Sequence, residues 1–142
     1  GQARENGGVV SAALVDLVGL KAINATYGHD ECDNAIKTAA EAFSTCCPED
    51  SVCVRFGGDE MMAIANGKIN EATLRNDINA CLNRYNAVSG KLYRVSVSVG
   101  VYICDKPESM DFDDLVKESD KLMYFEKRLK KSTKKKEEIT EP

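Results

Sequence analysis

Asp16 closes an apolar run that starts at Val9 behind Gly7-Gly8, and Asp59 follows a Gly-Gly pair that interrupts two further apolar stretches. Both acids therefore fall where a chain leaves a sheet. If the two strands are neighbours, the carboxylates meet, and paired carboxylates at strand ends can hold two Mg²⁺ or Mn²⁺ ions about 4 Å apart, one activating a hydroxyl and one steadying a phosphate. Glu60 adds an acid beside them. Gly57 and Gly58 have no Cβ, so their backbone can approach a ligand closely and turn successive N–H groups toward phosphate oxygens. Taken alone, the same four residues are equally an exposed hairpin turn with solvated acids.

Other polar residues are less telling by themselves. Lys21 reads as a solvated helix lysine, while Asn24 before a turn and the single histidine, His29, beside Gly28 read as capping or surface residues. Lys127 and Lys131 are four apart, so on a helix they share a face with Asp120 and Tyr124. Their like charges repel unless an anion lies between them, which a triphosphate would supply; the plainer reading is that cations clothe the end of an exposed helix and suit its dipole.

These groups need a scaffold, and the hydrophobic pattern supplies one. Val9 to Asp16 reads as a strand, and a short helical turn around Gly19 to Ala25 leads to Tyr27-Gly28-His29. Ile36, Ala39, Ala40, Phe43 and Cys47 then recur at helical spacing until Pro48. From Ser51, alternation through Val52, Val54 and Phe56, the Gly57-Gly58 break and the run Met61 to Ala65 predict a hairpin with acids at its tip. Asn66-Gly67 turns the chain into a helix marked by Leu74, Ile78, Leu82, Tyr85 and Val88 and ended at Gly90. Tyr93 to Tyr102 predicts a strand with Val95, Val97, Val99 and Val101 on one face and Ser96, Ser98 and Gly100 on the other. A last helix is expected over 113–131, with Leu115, Leu122 and Leu129 at near-heptad spacing, and a disordered charged tail over 132–142. With no Gly-rich loop between a strand and a helix, dinucleotide-binding and P-loop folds are excluded; helices laid on a mainly antiparallel sheet predict the α+β class.

At 142 residues, 43% apolar and 30% charged, the chain has room for a single domain with a real core, placed at 1–131. A net charge of −4 argues against general nucleic-acid binding, which needs a basic surface. No apolar run approaches the roughly 20 residues that cross a bilayer, so no membrane contact is expected of this segment and a cytoplasmic setting is. The six cysteines form no C-x-x-C pair and have one histidine for company, so buried reduced thiols are expected rather than zinc ligands.

One family matches these features in order and spacing. Asp16, Lys21, Ile23, Asn24, Gly28, His29 and Asp33, then Arg55-Phe56-Gly57-Gly58-Asp59-Glu60, then Ser98, Gly100 and Val101, and finally Asp120, Met123, Tyr124 and Lys127 resemble the successive motifs of the GGDEF domain of diguanylate cyclases. The resemblance covers nearly the whole chain. It implies a nucleotidyl-cyclase, ferredoxin-like palm fold and the condensation of two GTP to cyclic di-GMP, with two Mg²⁺ or Mn²⁺ per site. Asp16, the Leu17 carbonyl and Asp59 would ligate metal, and Asp59 would also act as base with help from Glu60. Lys21 would stabilise charge on the transferring phosphate. Asn24 and Asp33 would read guanine, with His29 on the substrate side, and Gly57, Gly58, Lys127 and Lys131 would hold phosphates. Since each domain holds one GTP, the resemblance implies a homodimer of C₂ type.

The chain departs from the family pattern at Val18, Gly19, Ala25, Cys32 and Met61, none of them an implied ligand. Residues 48–51 lack the Arg-x-x-Asp of the family's inhibitory product site, so no product inhibition through it is expected. The family's opening helix is absent too, which suggests a piece of a longer protein with an upstream sensor domain, and the cytoplasmic part of a membrane-anchored one is compatible with this. Two other functions compete: a degenerate domain that binds GTP or a partner without turnover, and a dimerisation module whose hairpin is only a turn.

Overall fold

The computed structural model describes residues 8–56 and 58–105, with 114, 117, 118 and 121 besides. Strand β1, Val10–Leu17, is buried along its whole length. A strand closed on both faces needs cover on both, and the sheet order, β2-β3-β1-β4 with every neighbouring pair antiparallel, places β1 inside. Its partners are β3, Glu60–Asn66, and β4, Val97–Cys104, while β2, Val52–Phe56, pairs with β3 at the edge.

Among the described residues, three helices lie on one face. Helix α1 is Leu20–Tyr27, α2 is His29–Cys46 and α3 is Glu71–Val88. Helix α2 turns Ala35, Ile36, Ala39, Ala42 and Phe43 inward, a stripe at helical spacing, and α3 does the same with Leu74, Ile78 and Leu82. They pack with Ala13, Val15, Leu17, Met61, Ala63, Val97, Val99 and Val101 of the sheet. The alternate residues form a second cluster, Ala12, Leu14, Met62 and Cys104, with Ile64 and Tyr102 against it. The α+β class and the antiparallel sheet expected from the pattern are what the structure has.

Local chemistry sets the boundaries. Cys47 turns extended before Pro48, whose ring disfavours a helical predecessor, and α2 stops there. Asn70 caps α3, its side chain accepting from the Thr73 N–H at 2.9 Å. Two expected elements need correction. The turn around Gly19 to Ala25 is a full helix that runs on to Tyr27. The last strand begins at Val97 rather than Tyr93, because the Asn86 side chain takes both backbone groups of Val95, donating to its carbonyl at 2.9 Å and accepting from its N–H at 2.8 Å. A satisfied backbone has no need of a ladder partner.

The expected C-terminal helix lies outside the described residues except at 114, 117, 118 and 121, which are helical. All six cysteines are free. Cys46 and Cys81 join α2 to α3 with their sulfurs 3.8 Å apart, and burial together with Cys81 pushes the Cys46 thiol up to about 11. Burial pushes the Cys47 thiol up to about 12. Both are thus protonated thiols near neutrality, in line with reduced packing residues. Cys53 departs from that expectation, being exposed on the edge strand β2. No helix among the described residues is long and apolar enough to cross a membrane.

Ser11, fully buried in β1, staples the turn that follows β3: its hydroxyl donates to the Gly67 carbonyl at 2.6 Å and accepts from the Ile69 N–H at 2.8 Å. Ser11→Ala leaves both backbone groups without this partner, and a loss of about 2 kcal/mol in unfolding free energy is expected. A urea titration reads it as a lowered midpoint at unchanged slope; an unchanged midpoint would show that water replaces the hydroxyl.

Candidate active site

The antiparallel register puts Asp16 directly opposite Glu60 on one side and Ser98 on the other. Partners in such a ladder hold their Cβ atoms about 5 Å apart on one face, and like charges placed there destabilise the pair. Asp59, at the hairpin tip, completes the group: carboxylate oxygens of Asp16, Asp59 and Glu60 lie within 4.8 Å of one another. The tip is tied to the end of β1, since the Leu17 N–H donates to the Asp59 carbonyl at 3.0 Å, and the next N–H, of Val18, donates to the Ser96 carbonyl at 2.9 Å on the β4 side. Asp16 is only 4% exposed. Three acids at this spacing, one of them buried, are a donor set suited to a hard divalent cation, which prefers carboxylate oxygens and offsets their mutual repulsion.

The sequence places Ser98 on a strand face and among the family-like motif residues but assigns it no role in the site. It is fully buried beside Asp16, and its hydroxyl has no hydrogen-bond partner among the described residues. What brings it to the site is its register with Asp16, which only the strand pairing fixes.

Of the other expected site residues, Leu17 and Gly58 adjoin the carboxylates, and Lys21, Asn24, His29 and Asp33 lie on α1 and α2. Leu17 ends β1 with its side chain in the core, 2% exposed, leaving only its backbone to the site. Gly58 is exposed in the turn, and a Cβ there would meet nothing within 4 Å among the described residues. Lys21 is exposed in the first turn of α1, and Asn24 is half-buried in the same helix with its carbonyl accepting from Gly28 at 2.9 Å. His29 opens α2 and Asp33 follows one turn later, both exposed. Gly57, Lys127 and Lys131 lie outside the described residues. A groove of about 290 Å³ between α2 and β2, lined by Lys37, Glu41, Ser44, Cys53 and Arg55 among others, also reaches Met61 on the helix-covered face, away from Asp16 and Glu60.

A family model for the diguanylate cyclase GGDEF domain matches residues 1–133. The chain belongs to the GGDEF family. It is 30% identical over 127 residues to diguanylate cyclase DgcP of Escherichia coli, covering 87% of this chain and 37% of that protein. To diguanylate cyclase DgcS of Shewanella oneidensis it is 29% identical over 125 residues, 87% of this chain and 40% of that one. The chain thus spans well under half of these curated relatives. Among solved structures, the active GGEEF domain of a diguanylate cyclase from Vibrio cholerae superposes with a TM-score of 0.71 at 22% identity, over 89% of this chain and 81% of that one. The GGDEF domain of DgcB from Caulobacter crescentus in complex with c-di-GMP gives 0.71 at 21% identity, over 89% and 77%. These likenesses establish the cyclase-like palm fold.

Within the GGDEF domain, the departure at Gly19 has a structural form: this glycine precedes α1 in the left-handed region, φ 71°, which favours a residue without Cβ. A polar cluster that the sequence did not disclose surrounds the start of α2. Glu31 accepts from Lys91 at 2.9 Å and from the Tyr93 hydroxyl at 2.8 Å, and the Lys91 ammonium and Tyr93 hydroxyl together hold its carboxyl below the ordinary glutamate range. Burial, opposed by the Asn34 amide and reinforced by Glu31, pushes the Tyr93 phenol up and keeps it a donor.

The sign of the linkage follows: a carboxyl lowered in the folded state contributes stability above its unfolded value and loses it as pH falls through the folded one. Glu31→Gln should therefore lower the melting temperature at neutral pH, with the gap to wild type closing as pH drops below the glutamate range. A gap that stays constant across that range would remove the ionised Glu31 from the account.

Proposed function

We propose that this GGDEF domain is a diguanylate cyclase, joining two GTP into cyclic di-GMP with release of two pyrophosphates. The observation that carries this reading is the convergence of Asp16, Asp59 and Glu60 within 4.8 Å at the tip of the Gly-Gly hairpin. These three acids would hold Mg²⁺ or Mn²⁺, two per site, with the Leu17 carbonyl as a further oxygen. The metal, when bound, neutralises phosphate charge and makes the attacking hydroxyl more acidic.

The chain's own groups do the rest. Asp59 takes the proton of the 3′-hydroxyl as the new O3′–Pα bond forms and the bond from Pα to the pyrophosphate oxygen breaks. Glu60 assists, and Lys21 counters charge on the transferring phosphate. Asn24 and Asp33 read the guanine edge, Asp33 accepting from the ring N–H and the amino group, so that ATP leaves a carboxylate unpaired and is rejected. His29 stands on the substrate side, while Gly57, Gly58, Lys127 and Lys131 hold phosphates. Each domain binds one GTP, so two copies must face each other for the bonds to form, and an upstream sensor domain in a longer chain would govern that pairing.

The test is incubation with GTP and Mg²⁺ under conditions that enforce dimers, with separation of nucleotides by anion exchange. Cyclic di-GMP from wild type and none from Asp59→Ala is the expected result. GTP bound without product would make the domain a nucleotide sensor instead, and absence of GTP binding would overturn the reading.

A further inference from the structure

Helix α2 begins without a side-chain cap: Gly28, at φ 92°, precedes it, its carbonyl accepting from Cys32 at 3.1 Å and its N–H donating back to the Asn24 carbonyl at 2.9 Å. An uncapped first turn frays, since its leading N–H groups have no intrahelical partner. Yet Asp33, and Asn24 across the same corner, are the residues proposed to read guanine. Precise reading demands that this corner be held by something other than its own backbone.

Tyr93 is placed to do so. Its ring packs against Tyr27, the last residue of α1, with centroids 5.3 Å apart and planes tilted at 46°. Its hydroxyl donates to Glu31 at 2.8 Å and accepts from the Asn34 amide at 3.0 Å, while the same amide donates to Tyr85 of α3 at 2.7 Å. Lys91 closes the far side on Glu31. One side chain, 9% exposed, thus touches both helices of the corner, with Glu31 and Asn34 bracketing Asp33 in α2. The bracketing side chains, Glu31 and Asn34, are the ones bonded to Tyr93, and Asp33 between them is exposed.

We infer that Tyr93 is a positioning residue for guanine selection, holding the α1–α2 corner so that Asn24 and Asp33 meet the base in one geometry. The inference rests on the proposed GTP site. Tyr93 touches no substrate; it acts through Glu31 and Asn34 on the residue between them. Removing its hydroxyl frees the turn without disturbing the carboxylates at the hairpin tip.

The experiment is a calorimetric titration of the 142-residue chain with GTP and Mg²⁺. Tyr93→Phe keeps the ring on Tyr27 and should weaken GTP about tenfold, because the hydroxyl's bonds to Glu31 and Asn34 are both lost and the corner is no longer held in one geometry. In an Asp33→Ala background the same change should cost less than about twofold, because coupled residues are not additive. Glu31→Gln, which keeps the acceptor for the hydroxyl, should retain near wild-type affinity where Glu31→Ala does not, and Mn²⁺ affinity should stay constant throughout. Equal GTP affinity of wild type and Tyr93→Phe overturns the inference while leaving the GTP site standing, and so does an equal penalty in both backgrounds. Wild type that fails to bind GTP, or binding indifferent to Asp33→Ala, overturns the guanine reading and the inference with it.

Discussion

Asp16→Asn is expected to reduce cyclic di-GMP formation by roughly a thousandfold and, in the absence of metal, to make the protein more stable. The two effects share one cause. Asp16 stands directly opposite Glu60 in the β1–β3 ladder and its oxygens fall within 4.8 Å of those of Asp59 and Glu60. The carboxylates repel one another, and a neutral amide at position 16 removes its share of that repulsion. With a cation, the amide supplies an oxygen but no charge, and a site that works by stabilising developing negative charge loses on that order when one such contact goes. Titration with Mn²⁺ followed by electron paramagnetic resonance, and thermal melts with and without Mn²⁺, read both signs. The expected pattern is a higher melting temperature without metal and a smaller rise on adding it. A variant that keeps wild-type Mn²⁺ affinity would move the metal away from Asp16.

Leu14→Ala should cost about 4 kcal/mol. Leu14 is fully buried at the middle of the central strand, on the face away from the helices, where Met62 is its partner in β3 and Gly100 its partner in β4. Gly100 brings no side chain that could move into the space truncation leaves. Truncation leaves a cavity that neighbours on a hydrogen-bonded ladder collapse into poorly, which puts the cost toward the upper part of the usual range. That is a large share of a stability of roughly 5–15 kcal/mol. Urea unfolding gives the number; a loss below about 1.5 kcal/mol would mean that this face is loosely packed.

Much of the scaffold was legible from residue order. The two-residue alternation of Val97, Val99 and Val101 assigned one face of β4 to the core, and the helical spacing of Ile36, Ala39 and Phe43 did the same for α2. Both signals are local: a side chain's face follows from the backbone period, whatever the rest of the chain does. The start of β4 was not legible, because Val95 is buried like a strand residue while its backbone is bound by Asn86, nine residues earlier.

The sequence by itself determined that Asp16 lies near the end of a strand, that Asp59 and Glu60 sit at a glycine turn, and which family motifs the chain carries. Only the tertiary structure decided that β1 lies between β3 and β4, so that Asp16 faces Glu60 and Ser98, and that Tyr93 reaches Asn34 across 59 residues of chain. Strand order and side-chain clamps of that range depend on burying both faces of the sheet at once. No window of sequence contains that condition, and it is the one that turns three scattered acids into a site.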